Sequence, residues 1–120
     1  MGNKRHYRFA DQTFERVIAH KGKVPIFTRR VLENSDETFL NFLDLTIVPP
    51  GADIGIHTHA MDNEEMYIII SGRGEMIIDG ERFEIGPGDV VFNKPGAAHG
   101  LWNTGEEEMK LVVLEVPWSP

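Results

Sequence analysis

The chain has 120 residues, enough for one hydrophobic core and too few for two. With 12 basic residues against 19 acidic ones the net charge is −7, which argues against a nucleic-acid surface, since that needs a basic stripe. There is no cysteine, so disulfides, thiolate metal sites and thiol nucleophiles are ruled out, and any metal must be held by histidine, carboxylate or water.

No apolar run approaches the length of a membrane helix, and no charged-then-apolar leader stands in the sequence. Met1-Gly2 opens like a myristoylation signal, but His6 occupies the position where serine or threonine is expected. The expectation is a cytoplasmic protein without membrane contact. Residues 1–22 are polar, with Phe9, Phe14, Val17 and Ile18 as isolated apolar points. They read as an N-terminal arm in which "DQTFERVIAH" allows a short helix.

From Val24 the pattern changes. Nine short runs rich in β-branched and aromatic residues follow: "VPIFTRRVL", "TFLNFLDLTIV", "IGIHTH", "EEMYIIIS", "GEMIID", "ERFEI", "DVVF", "HGLWN" and "KLVVLEV". Turn residues separate them, among them Pro49-Pro50-Gly51, Ser71-Gly72, Gly86-Pro87-Gly88 and Pro95-Gly96. Asp79-Gly80 between "EMII" and "ERFEI" is the sharpest local signal, a two-residue hairpin loop with positive φ at both positions. So many short strands in one flat sheet would leave exposed edges, and a sandwich or small barrel avoids them. The domain spans residues 23–117, and 118–120 form a tail from which Trp118 can pack onto the body.

Within "GADIGIHTHAMDNEEMYIIISG" two histidines stand one residue apart. Strand side chains alternate faces, so His57 and His59 project to one side about 6–7 Å apart. Glu65 opens the next run, with Tyr67 and Ile69 on its face. If that run pairs with the histidine strand across an Asp62-Asn63-Glu64 loop, Glu65 can supply a third ligand. Imidazoles at this spacing also occur in solvated turns, and acidic runs commonly face solvent. Spacing alone leaves both readings open.

A second stretch, "GPGDVVFNKPGAAHGLWN", holds His99 after a Pro-Gly turn. Together the two stretches resemble the paired motifs of the cupin superfamily. Gly51, His57, His59, Glu65 and Gly72 match the first motif, and Gly88, Gly96, His99 and Asn103 match the second. Two departures stand out. Five residues separate His59 from Glu65 where three or four are usual, and Lys94 replaces a proline. Glu64 would shorten that interval, but its side chain falls on the opposite strand face. Glu65 is therefore preferred, with the extra residue placed in the loop.

The resemblance implies an all-β fold, a double-stranded β-helix or jelly-roll barrel carrying the short N-terminal arm. It implies one divalent transition metal ion (manganese, iron, nickel, copper or zinc) held by His57, His59, Glu65 and His99, with one or two positions open. His6 and His20 lie outside the motifs and read as surface residues. Strand parity adds Gly55, Tyr67, Ile69, Ala97, Leu101 and Asn103 as candidate lining, with Tyr67 the candidate catalytic residue. Tyr67 and Leu101 equally suit barrel core, and Asn103 suits a turn. Arg29, Arg30 and Arg73 could form a phosphate cradle or be solvated strand and turn positions. No acid-bearing lid insertion of the kind oxalate-type decarboxylation wants is apparent.

Two functions fit the resemblance. One is a metal-dependent enzyme on a small oxygenated substrate, of dioxygenase or isomerase/lyase type. The other is a non-catalytic module that binds or senses a small anion or sugar. Small barrels of this kind are commonly homodimers. "VPIFTRRVL" and "TFLNFLDLTIV" carry apolar residues on both faces. One face can fill the barrel, and the other needs cover from the N-terminal segment or from a second subunit, for which a homodimer is expected.

Overall fold

The computed structural model describes residues 5–120. Among them are ten strands: β1 (Glu15–Val17), β2 (Ile26–Glu33), β3 (Phe42–Val48), β4 (Asp53–Thr58), β5 (Asn63–Ser71), β6 (Gly74–Ile78), β7 (Glu81–Ile85), β8 (Val90–Asn93), β9 (Ala98–Trp102) and β10 (Met109–Pro117). Each of the nine β-rich runs becomes a strand. The tenth, β1, comes from the arm, where the sequence allowed a short helix. A single 3-10 turn at Phe9–Asp11 precedes it, and β1 adds to the edge of β2. No helix of the described residues is long and apolar enough to cross a membrane.

The strands form two antiparallel sheets. The larger has the order β1-β2-β3-β10-β5-β8 and the smaller β4-β9-β6-β7. This is the double-stranded β-helix expected from the sequence. The β6–β7 hairpin turns at Asp79-Gly80 with φ of 47° and 86°, the left-handed pair that a two-residue loop requires.

Alternation fills the space between the sheets. Cross-strand partners share a face, so register gives the inner rows directly. Phe42, Glu115, Glu65 and Asn93 form one row across β3, β10, β5 and β8. Arg30, Asp44, Val113, Tyr67 and Val91 form the next. Thr28, Thr46, Leu111 and Ile69 follow. Deeper in, Val48, Ile69, Met76, Leu101, Met109 and Leu111 make a dry core. Burying each such side chain is worth roughly 1.5–3 kcal/mol. The core thus closes one end of the barrel and leaves the polar rows at the other.

One buried amide ties the closed end together. Asn103 donates through Nδ2 to Val48 O at 2.8 Å and to Glu107 O at 2.7 Å, and its Oδ1 accepts from Gly105 N at 2.9 Å. Its place is therefore in the turn after β9, away from the open mouth. Asn103→Ala removes three hydrogen bonds and strands a buried carbonyl. It should lower unfolding free energy by about 2–4 kcal/mol in a urea titration.

Candidate metal centre

His57 and His99 are cross-strand partners on β4 and β9, which sets their rings side by side, with centroids 4.4 Å apart. His59 follows the end of β4 and is held by its N–H to Ala97 O at 3.0 Å. Glu65 arrives differently from the expectation. β5 does not pair with β4; it lies in the opposite sheet between β10 and β8, and Asn63 and Glu64 belong to that strand instead of a loop. Glu65 therefore reaches the histidines across the barrel, not along a hairpin. Of the two acids it is the inward one, only 6% exposed.

The ligand atoms of His57, His59, Glu65 and His99 all lie within 4.8 Å of one another. Ligand bonds of about 2.1 Å place adjacent donors roughly 3 Å apart and opposite donors roughly 4.2 Å apart. The cluster is close to that size. Two of the imidazoles are oriented by their outer nitrogens. His57 Nδ1 donates to Gly55 O at 2.8 Å, and His59 Nδ1 to Asn63 Oδ1 at 2.9 Å. Asn63 Nδ2 donates to Asp62 at 2.9 Å, which turns the amide oxygen toward His59. Nε2 of each ring is then a bare lone pair facing inward.

Those lone pairs lack protein donors. His57 Nε2 and both ring nitrogens of His99 are buried without a hydrogen-bond partner. His59 Nε2 stands 3.2 Å, and His99 Nε2 3.5 Å, from the same Glu65 oxygen. Acceptors that close need a positive charge between them. A divalent cation meets that need for all four groups at once, so the residues fit the metal that the sequence led us to expect.

Protonation tells the same story in the metal-free protein. Hydrogen bonding to Glu65 raises the His59 pKa to about 9, against the opposing effect of burial. Burial, with the neighbouring imidazoles, lowers the His99 pKa to about 3. Burial also lowers His57 and His20. Tyr67 is 2% exposed and its pKa is raised, chiefly by burial and then by the Glu65 charge to which its hydroxyl is hydrogen-bonded.

A cavity of about 280 Å³ opens beside the cluster, lined in part by His59, Glu65 and Tyr67. Its far wall holds one of the three arginines that the sequence leaves open between a phosphate cradle and a solvated position. Arg30 lines it and is bound to Asp44 through Nε at 2.9 Å and Nη2 at 3.2 Å, with its guanidinium 4.1 Å from the Phe42 ring centroid. Arg73 lies elsewhere, beside other clefts. Glu115 lines the cavity too, accepting from Asn41 Nδ2 at 2.9 Å. Ile69 and Leu101 are core, and Gly55 serves the arm. His6 is exposed, as expected. His20 is exposed by area yet belongs to the site, since its ring stacks on His57 at 3.4 Å.

The sign of the His59 shift gives a direct test. Its folded pKa lies above the ordinary 6.5, so the bound proton stabilises the fold below pH 6.5, and that contribution is lost as pH rises through 9. In histidine-resolved NMR of metal-free protein one imidazole should titrate near pH 9. Another, His99, should stay neutral down to about pH 3. Metal loading should abolish the step near pH 9.

Comparison with known proteins follows this geometry. A 71-residue stretch is 37% identical to an uncharacterized protein of Methanocaldococcus jannaschii, covering 59% of this chain and 56% of that one. Another, of 67 residues, is 33% identical to the oxalate-binding protein of Thermotoga maritima, covering 56% and 54%. The chain thus spans about half the length of these curated relatives. The crystal structure of a predicted oxalate decarboxylase from Thermotoga maritima superposes with a TM-score of 0.88 at 25% identity, covering 95% of this chain and all of that one. The cupin domain family model matches residues 44–115, and with that match the chain belongs to the cupin family.

Proposed function

We propose that this chain is a metal-dependent enzyme acting on a small oxygen-rich substrate, of dioxygenase or isomerase/lyase type. The observation that carries the reading is the junction of ion site and cavity, since His59 and Glu65 belong to both. A divalent ion held there would supply Lewis acidity to substrate oxygens or activate a bound small molecule. The protein's own residues do the rest. Tyr67 holds Glu65 in place by a hydrogen bond. Val17, Ile26, Phe42 and Val113 give the cavity its apolar wall and limit water around the substrate.

Three carboxylates line the cavity: Asp44, Glu65 and Glu115. Asp44 is committed to Arg30, and Glu65 to the ion site. Glu115 is left to carry a proton to or from substrate, with Oε2 anchored by Asn41 and Oε1 4.0 Å from His59 Nδ1. The non-catalytic alternative is favoured by the relative named for binding oxalate. A panel of diketones, catechols, enediols and dicarboxylates, assayed for oxygen uptake and product, separates the two. Metal-loaded protein that binds a panel member and turns none over is a binding module.

The metal reading has its own test. His57→Ala and His99→Ala should take bound metal from about one ion per chain to near none by elemental analysis. Asn63→Ala, which only frees His59 to rotate, should weaken metal by about 10–100-fold. Unchanged stoichiometry in both histidine variants would sink the reading.

We also propose a homodimer through the outer face of the larger sheet. Register places Leu43, Leu114, Met66 and Phe92 in one outward row, and Val112, Ile68 and Val90 in the next. Phe92 and Val90 are exposed there. An apolar surface of that kind on a lone subunit is costly in water. Light scattering at micromolar concentration should give twice the chain mass, and Ile68→Asp should give one.

A further inference from the structure

The geometry points to His20, on the N-terminal arm, as a binding residue that meets a small oxygen-chelating anion held at the metal. This rests on the metal reading above. The ring of His20 lies nearly parallel to that of His57, 8° between planes and 3.4 Å between centroids. It lines the same cavity as His59 and Glu65. It stands outside the set of four whose ligand atoms converge, so its nitrogens are left for something other than the ion. A neutral imidazole has one donor and one acceptor to offer such a neighbour.

The arm is built to hold that ring in place. Ala19 to Gly22 form a tight turn closed by Gly22 N to Ala19 O at 2.9 Å. Both central residues are left-handed, His20 at φ 49° and Lys21 at φ 59°. Such backbone is unfavourable for a non-glycine residue and survives only where its surroundings fix it. They do so on the strand that bears His57. Gly55 N donates to Ala19 O at 3.1 Å, and Asp53 Oδ1 accepts from Lys23 N at 2.8 Å and Val24 N at 3.0 Å.

Gly55 is bare for the same reason. A Cβ there would come within 2.2 Å of His20 O. The backbone of Gly55 therefore has two tasks: its carbonyl orients His57, and its N–H seats the arm. Strain accepted at two residues to put an imidazole over an ion ligand, facing a cavity, is the mark of a binding position.

Calorimetry of the full chain tests this with Mn²⁺ alone and then with oxalate as the probe anion on Mn²⁺-loaded protein. His20→Ala should keep its Mn²⁺ affinity within about threefold of the parent and bind oxalate roughly tenfold more weakly or worse, the cost of one hydrogen bond to a charged group. His20→Gln, which keeps a donor, should recover part of that loss. Parental oxalate affinity in His20→Ala overturns the inference. So does a parallel loss of Mn²⁺, which would make His20 only a prop for His57, and so does a loaded parent that ignores oxalate. A parent that takes up no Mn²⁺ instead brings down the metal reading itself.

Discussion

A lone pair on His59 Nε2 faces a Glu65 oxygen at 3.2 Å, and the same oxygen stands 3.5 Å from His99 Nε2. Neither contact is tolerable between bare acceptors in a site this dry. Something positive has to lie between them, and among the described residues no lysine or arginine side chain does so. In the metal-free protein a proton on His59 serves, which is why that ring holds it so tightly. A divalent cation would serve better, because it would answer His57 and His99 as well. Metal binding here would then draw on the same electrostatic interaction as folding.

Placing the four groups is a matter of topology more than of local sequence. Strand alternation is a local property, so the nine β runs, the Asp79-Gly80 hairpin and the inward parity of Glu65 were all legible along the chain. The partner of β5 was not. Register across two sheets is decided by crossovers between distant segments, and a strand that follows another after a short loop is easily taken for its hairpin mate. The four candidate ligands were still named, because the paired motifs mark them whatever sheet they occupy, and their ligand atoms converge. Arg30 was left open between a phosphate cradle and a solvated strand position, and it has something of both. It shares alternation parity with Ile26 and Thr28 and lines the cavity, yet its side chain stays about half exposed, 49%.

The arm was harder to read. β1 is three residues long, and "DQTFERVIAH" has no alternation strong enough to declare a strand. The two left-handed residues are histidine and lysine, where glycine or asparagine would have signalled a turn. The one available sign was on the partner. A glycine inside a strand, here between Ile54 and Ile56, marks a close backbone approach, and Gly55 is that glycine. It sits within the register shift of β4 between Ile54 and His57, where the ladder to β9 is interrupted. The interruption frees Gly55 N for Ala19 O. The carbonyl of the same residue turns to His57 Nδ1.

The charges around the cavity decide where selectivity can reside. Arg30 and Asp44 neutralise each other through two hydrogen bonds, so the far wall offers hydrogen-bonding groups and little net charge, with the Thr28 and Thr46 hydroxyls beside them. At the near end a divalent ion would exceed the charge of Glu65 by about one unit, with the Glu115 carboxylate close by to offset it. An anion is then drawn by the ion itself, not by a general positive field, and only oxygens that can reach the open coordination positions gain from it. Among the described residues a ligand bearing a single remote charge would find no unpaired guanidinium in the cavity, since that of Arg30 is bound to Asp44. With an ion in place as proposed, the arrangement would favour compact chelating oxygen groups over long charged tails, for an enzyme and a binding module alike.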